Sequence, residues 1–406
     1  MSTWLVPREE LTVEQRRAVE LPPAEHLVLL GGPGSGKTVV LVHRASHLRQ
    51  ACQTPRHRFH IFVFTNVLKD YIRSALELLD LPPSCVSTLD AWCCEYYENS
   101  IRHYLPWDPV RNSRDFPTIR WEVMEQLKRE GRERPIFDFL LVDEGQDLEA
   151  GVYELLRLLG KHVTVCMDHN QQIYDGGAKL DEVQTALGVR RRNVAFLETF
   201  RCCPYIVDLA SQFIDDPQER EQYIRQTRTT NTDIETPVLY YAQRASEERQ
   251  QLIETVRVRL SRGEKIGILL PQRRQVFALA AGLRKASLPV ETPGEMNFES
   301  DVPKIMPYHS AKGLTFDAVL LPRLSATSFA KVSDALVRRL LFVGISRATR
   351  WVYLSTTEEG FVHLEPLRRL GEERRLTVRR ADAEPAEGAP RRARSRKAVR
   401  DPLDFL

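Results

Sequence analysis

Short apolar runs alternate along this chain with stretches whose apolar residues recur at helical spacing. Leu27-Val-Leu-Leu30, Ile61-Phe-Val-Phe-Thr65, Phe137-Asp-Phe-Leu-Leu-Val142, Val238-Leu-Tyr-Tyr-Ala242 and Ile266-Gly-Ile-Leu-Leu270 suit strands buried on both faces of a parallel sheet. Between them, Val67, Leu68, Tyr71, Ile72, Ala75, Leu76 and Leu79 mark one face of a helix, and further helices are predicted over 39–45, 206–214, 247–260 and 274–286. This βαβα alternation predicts an α/β fold with two parallel sheets flanked by helices. The boundary is placed near Thr230, giving domains over 1–230 and 231–370. The pattern lapses twice. Over 95–135, Tyr104, Trp107 and Trp121 are scattered through a polar stretch, read as a small insertion with one helix near 119–129. Past Leu370 the chain is charged, and 371–406 reads as a disordered basic tail.

Composition narrows the class without naming the chemistry. A chain of 406 residues, 42% hydrophobic and 28% charged, has the make-up of an ordinary soluble globular protein with room for two or three cores. The formal net charge of +3 is too small to demand a polyanionic partner by itself. Arg391-Arg-Ala-Arg-Ser-Arg-Lys397 does concentrate cations, either as a solvated tail or as a nonspecific phosphate contact. Seven cysteines without a C-x-x-C spacing favour buried free thiols over a disulfide framework or metal cluster. With no signal peptide and no apolar run of bilayer length, the expected setting is the cytoplasm, away from membranes.

The chemistry starts at Gly31-Gly-Pro-Gly-Ser-Gly-Lys-Thr38, directly after an apolar run and before a helix. This is the G-x-x-x-x-G-K-[ST] pattern of a phosphate-binding loop. Gly31, Gly34 and Gly36, with Ser35, let the backbone aim successive N–H groups at a polyphosphate, and Lys37 reaches the terminal phosphates. The Thr38 hydroxyl is placed to hold Mg²⁺. Asp143-Glu-Gly-Gln-Asp147 closes another apolar run, where Asp143 would anchor the metal ion and Glu144 polarise an attacking water. Upstream, Thr12 and Gln15 have the spacing of a capping box, and the Gln15 amide could equally read the Hoogsteen edge of adenine. Phe64-Thr-Asn66 and Ser87-Thr88 end strands, where they could hold phosphates and stack on a base or simply cap the next helices.

Taken in order, Gln15, the glycine loop, Phe64-Thr-Asn66, Val86-Ser-Thr-Leu-Asp-Ala-Trp92 and Asp143-Glu-Gly-Gln-Asp147 resemble the UvrD/Rep/PcrA group of superfamily 1 helicases. Asp168 and Gln171, in the stretch from Val163 to Tyr174, resemble its third motif, with Met167 in place of a glycine. Leu197-Glu-Thr-Phe-Arg201 resembles its N-Y-R motif, with Phe200 replacing the tyrosine. The stretches from Met306 to Phe316 and from Arg338 to Ala348 resemble its fifth and sixth. The resemblance implies two RecA-like P-loop domains with ATP and Mg²⁺ in the interdomain cleft. It implies that Gln15, Phe200 and Gly313 contact the nucleotide, and that Gln171, Arg201 and the finger Arg347 act in catalysis. Phe64, Thr65, Asn66, Thr88 and His309 would then meet single-stranded DNA (RNA is the lesser option), with movement 3′ to 5′.

The chain also departs from that pattern. The family's two large insertions are reduced or missing, Asp175-Gly-Gly-Ala178 lacks the expected base-stacking tryptophan, and Pro307 and Thr315 replace a threonine and a glutamate of the fifth motif. Two readings remain: a motor on single-stranded DNA, or an ATP-gated module that switches a nuclease or repair partner without processive unwinding. The ending Asp401-Pro-Leu-Asp-Phe-Leu406 distantly resembles peptides that dock on sliding clamps, which would make the tail a protein-binding segment.

Overall fold

A computed structural model describes residues 4–131, 134–168, 176–190, 194–197, 199–200, 203–228 and 235–381. They group into two compact units, one drawn from 1–201, 221–228 and 312–314, the other from 202–220, 229–311 and 315–406.

The first unit is built on strands β1 (Leu27–Gly31), β2 (Phe59–Val63), β3 (Val86–Thr88), β4 (Phe137–Val142), β5 (Gly160–Met167) and β6 (Val194–Leu197). They form an all-parallel sheet in the order β3-β2-β4-β5-β1-β6. Its helices are α1 (Val13–Glu20), α2 (Lys37–Ala51), α3 (Asn66–Leu76), α4 (Leu89–Ser100), α5 (Phe116–Glu130), α6 (Val152–Leu159) and α7 (Leu180–Leu187). Local chemistry starts them where they start: the Thr65, Thr88 and Asp115 side chains accept the N–H groups of Leu68, Ala91 and Thr118. Helix α2 is buried on nearly every side, as its run of apolar residues requires.

Past β6 come α8 (Pro204–Ser211) and α9 (Pro217–Gln226). A boundary near Thr230 assigns α8 to the first domain, whereas it groups with the second unit. There the Cys203 N–H donates to the Thr349 carbonyl at 3.2 Å, and Arg338 donates to the Gln212 carbonyl at 2.9 Å. The second sheet consists of β7 (Val238–Tyr241), β8 (Ile266–Leu270), β9 (Lys304–Pro307), β10 (Phe316–Leu321), β11 (Ala348–Thr356) and β12 (Thr377–Arg380). It too is all parallel, in the order β9-β8-β10-β11-β7-β12. Helices α10 (Ala245–Ser261), α11 (Arg273–Lys285), α12 (Asp334–Ile345) and α13 (Arg368–Glu372) complete the unit.

Two expectations are corrected. The insertion does not begin at residue 95, because α4 continues to Ser100 with Cys93, Cys94 and Tyr97 buried on one face. The segment outside regular helix is 101–115, and α5 is longer than the 119–129 predicted. Nor does the ordered chain end at Leu370. Thr377–Arg380 pairs in parallel with β7, its backbone supplying ladder bonds that polar side chains do not advertise. Among the described residues, Cys85, Cys93, Cys94, Cys166 and Cys203 are buried free thiols and Cys52 is exposed. No helix among these residues is long and apolar enough to cross a membrane.

Candidate nucleotide-binding site

Three neighbouring strands of the first sheet, β4, β5 and β1, end side by side, and each delivers a charged group. The turn after β1 is the glycine loop. Gly34 and Gly36 take φ of +77° and +78°, a left-handed backbone that other residues adopt only at a cost. A Cβ on Gly31 would fall 2.4 Å from Ser35 Oγ, and one on Gly36 would fall 2.5 Å from Gln15 Nε2. The loop therefore needs its glycines for close approach as well as for its turn.

Lys37, on the first turn of α2, donates to the Gly31 and Gly32 carbonyls at 2.6 and 3.1 Å, and lies 3.4 Å from the Asp168 carboxylate at the end of β5. Beside it the Thr38 hydroxyl donates to Asp143 Oδ2 at 2.7 Å. Asp143 and Glu144 are both buried. Burial, with repulsion from Glu144, raises the Asp143 carboxyl to about 6 against the pull of Thr38 and Lys37. Glu144 sits at φ +55°, an unusual conformation for a non-glycine residue. Its carboxylate accepts from Gln146 Nε2, whose own Oε1 accepts the Asp168 N–H at 2.9 Å. Gln146 thus ties the end of β4 to the end of β5.

The turn that carries Gln146 is packed from below. Tyr153 donates to the Gly145 carbonyl at 2.6 Å, and a Cβ on Gly145 would meet Val165 Cγ1 at 2.4 Å. Asp147 pairs with Lys312, both side chains fully buried, in the segment 312–314 that belongs to this unit. Gly313, with φ +74°, packs against Leu68.

Gln15 is a capping residue and a brace for the loop at once. Its Oε1 accepts the Thr12 N–H at 3.0 Å, closing the expected capping box, while its Nε2 donates to the Ser35 carbonyl at 2.9 Å. Thr65 and Thr88 cap helices, and a capping hydroxyl keeps a hydrogen to donate. Phe64 is half-buried, and exposed Asn66 accepts from Lys69 at 3.1 Å. His309 is half-buried in a 3₁₀ turn of the second unit. Arg347, also in that unit, is buried and donates to the Val343 carbonyl at 3.1 Å and to Ser346 Oγ at 3.1 Å. Gln171 and Arg201 lie outside the described residues, as does the side chain of Phe200.

Sequence reasoning missed the support beneath the site. Arg44, on α2, has no solvent exposure. Its guanidinium donates to the Ala18, Val19 and Leu21 carbonyls at 3.1, 3.0 and 2.7 Å, and to Thr164 Oγ1 at 2.9 Å. It also lies 3.1 Å from His162 Nε2. An arginine only donates, so His162 Nε2 is the acceptor and the ring proton sits on Nδ1. Burial, then the charges of Arg44 and His26, push His162 down to about 3 and keep it neutral. Arg44 thereby fastens the Gln15 helix, the Lys37 helix and the strand leading to Asp168 to one another. An arginine inside the apolar run Val39-Val-Leu-Val-His-Arg-Ala45 was the available signal.

A nucleotide carrying Mg²⁺ fits these residues. The Ser35 hydroxyl is buried with no hydrogen-bond partner, inside a loop whose glycines leave room for a close ligand. Hydroxyl and carboxylate oxygens, from Thr38 and Asp143, are the hard donors that Mg²⁺ takes along with phosphate oxygens. Among the described residues no cluster of three or more His, Cys, Asp or Glu offers a different metal site.

Comparison with known proteins agrees with this site. A family model described as an AAA domain matches residues 15–177, and one described as a UvrD-like helicase C-terminal domain matches 305–355. Among solved structures, the chain is similar to the C-terminal domain of a possible DNA helicase from Lactobacillus plantarum WCFS1. The identity is 16%, with 44% of this chain and 98% of that one covered, at a TM-score of 0.35. No curated protein matches the sequence. The first match spans the glycine loop and Asp143-Glu-Gly-Gln-Asp147, the second spans the fifth and sixth motifs, and the two together support a UvrD-like helicase on P-loop, RecA-like α/β folds.

Proposed function

We propose that this protein hydrolyses ATP to drive 3′ to 5′ movement along single-stranded DNA, as a cytoplasmic translocase that opens short duplexes. The reading rests above all on the buried bond from Thr38 to Asp143 with Glu144 alongside. In it, Lys37 and the loop N–H groups hold the phosphates, and Thr38 and Asp143 hold Mg²⁺, which when bound supplies charge neutralisation to phosphoryl transfer. Glu144, fixed by Gln146, orients water and takes its proton. Gln15 and Phe200 bind the base, with Gly313 beside the nucleotide. Gln171, Arg201 and Arg347 act in turnover, while Phe64, Thr65, Asn66, Thr88 and His309 touch DNA.

A second reading, an ATP-gated module that switches a protein partner, is favoured by one observation: only 101–115 separates α4 from α5, shorter still than the reduced insertion expected over 95–135. Strand displacement on duplexes with 3′ or 5′ overhangs decides between the two. Opening from the 3′ overhang alone supports the motor, and hydrolysis without displacement of strand or bound protein removes it.

A further inference from the structure

Among the described residues, the large aromatic side chains left exposed are Tyr104, Trp107, Trp121 and Phe277, and three of these four lie between α4 and the second turn of α5. Tyr104 is 89% exposed and Trp107 58%. Trp107 stands on a small hairpin in which it and Asp108 pair antiparallel with Arg114 and Ser113, and Tyr104 lies three residues ahead of it. The hairpin is preformed. The Asp115 N–H donates to the Pro106 carbonyl at 2.9 Å, and Asp108 Oδ1 accepts the N–H groups of Val110 and Arg111 at 2.9 and 3.0 Å.

Over 101–115 three arginines stand against two aspartates. Arg102, Arg111 and Arg114 are exposed, with His103 among them. Asp108 holds the turn and lies 3.7 Å from Arg111, Asp115 caps α5, and Glu98 is exposed one turn ahead of Arg102. Leaving two large rings in water forgoes the burial that would stabilise the fold. The same arrangement suits a ligand that offers flat apolar faces joined by negative charges.

We infer that this hairpin is a stacking platform for single-stranded nucleic acid, with Tyr104 and Trp107 against bases and Arg102 and Arg111 against phosphates. The inference rests on the proposed action on DNA and adds a contact surface to it. Duplex bases are already stacked and paired and offer no open face, which is why the platform selects a single strand. A protein partner would also use tryptophan, tyrosine and arginine, but would not call for an excess of exposed cations over free carboxylates.

The test uses the full chain, fluorescence anisotropy and a labelled oligothymidylate across a salt series. Tyr104→Ala with Trp107→Ala is expected to weaken binding about tenfold or more, while Tyr104→Phe with Trp107→Phe keeps wild-type affinity because the ring faces remain. Arg102→Ala with Arg111→Ala should lower the slope of log K against log salt by about 1.4, the share of two single-strand phosphate contacts. Hydrolysis of ATP without DNA stays at the wild-type rate in all three variants, which excludes misfolding. If the wild type binds the oligonucleotide and the double alanine variant binds it equally well, the platform is overturned, the rings serve a protein partner, and the proposed function stands. If the wild type does not bind the strand at all, proposed function and platform fall together.

Discussion

The two sheets have the same topology: in each, the strands lie in the order third, second, fourth, fifth, first, sixth, all parallel. The turns leaving corresponding strands differ. After β1 the glycine loop leaves the N–H groups at the start of α2 facing outward, with a glycine rather than a side chain at the cap. After β7, Ala242-Gln243-Arg244 leads into α10, and the Glu247 carboxylate accepts the Gln243 and Arg244 N–H groups at 3.0 and 3.3 Å. That helix start already has its anion, supplied from within. At the fourth strands, β4 presents Asp143 and Glu144, whereas after β10 the Arg323 N–H is taken by Glu248, which also accepts from Ser355 at 2.7 Å. One sheet keeps its carboxyl ends available to a ligand, and the other uses the same places to hold itself together. Topology therefore locates a possible site, and the side chains decide whether it exists.

The buried arginines repeat the contrast. Arg259, in the second unit, is paired with the carboxylates of Glu235 and Glu264 and lies 3.5 Å over the Trp351 ring. Arg44 has neutral acceptors and a neutral histidine. Its charge is compatible with burial only while every acceptor stays in place.

Four measurements bear on this contrast between the two sheets. The largest effect is expected from Glu144→Gln and Arg347→Ala, each slowing ATP turnover by roughly 10²–10⁴ in phosphate-release assays while nucleotide affinity is retained. Normal turnover in either would remove the role assigned to that residue. Next, Arg44→Met should lower stability by about 3 kcal/mol in urea melts, because it strands Thr164, His162 and backbone carbonyls in the core. A change under about 0.5 kcal/mol would show that water or neighbours satisfy those groups cheaply.

Acid should loosen the first unit before the second. Its sheet carries His60 and His162, and the second sheet's strands carry no histidine. Burial, with Arg73 nearby, pushes His60 down to about 4. A base depressed on folding binds its proton more readily when unfolded, so its share of stability is complete above about 6.5 and is lost as pH falls toward the folded value. By about pH 4.5 each buried ring has lost on the order of 3 kcal/mol of its share. Urea melts between about pH 7 and pH 4.5 should show this loss, and His60→Phe should reduce it; a melt unchanged over that window would contradict it. The smallest effect is expected for Glu247→Ala, which should cost about 1 kcal/mol as a lost capping box and create no nucleotide site, since the glycine loop is missing there.

Much of the site was legible because its signals are local. A glycine loop, an acidic pair at a strand end and a Thr12–Gln15 capping box each sit within a few residues of their function. Arg44 and His162 were not legible, since their meaning depends on partners 118 residues apart in the chain. The start of the tail is misjudged from sequence for a related reason. Thr377–Arg380 carries little apolar pattern, and its place in the sheet comes from backbone pairing with β7. The repeated strand order is hidden too, because β9, β11 and β12 do not announce themselves as strands of a second sheet.

The central claim is that the glycine loop and its facing carboxylates run ATP hydrolysis in the service of a single strand. Steady-state ATP hydrolysis by the full chain, with and without single-stranded DNA, beside Lys37→Ala, tests it most directly. Turnover is expected to rise on adding the strand and to be abolished by Lys37→Ala under both conditions. Hydrolysis that survives Lys37→Ala, or that ignores the strand entirely, would contradict it.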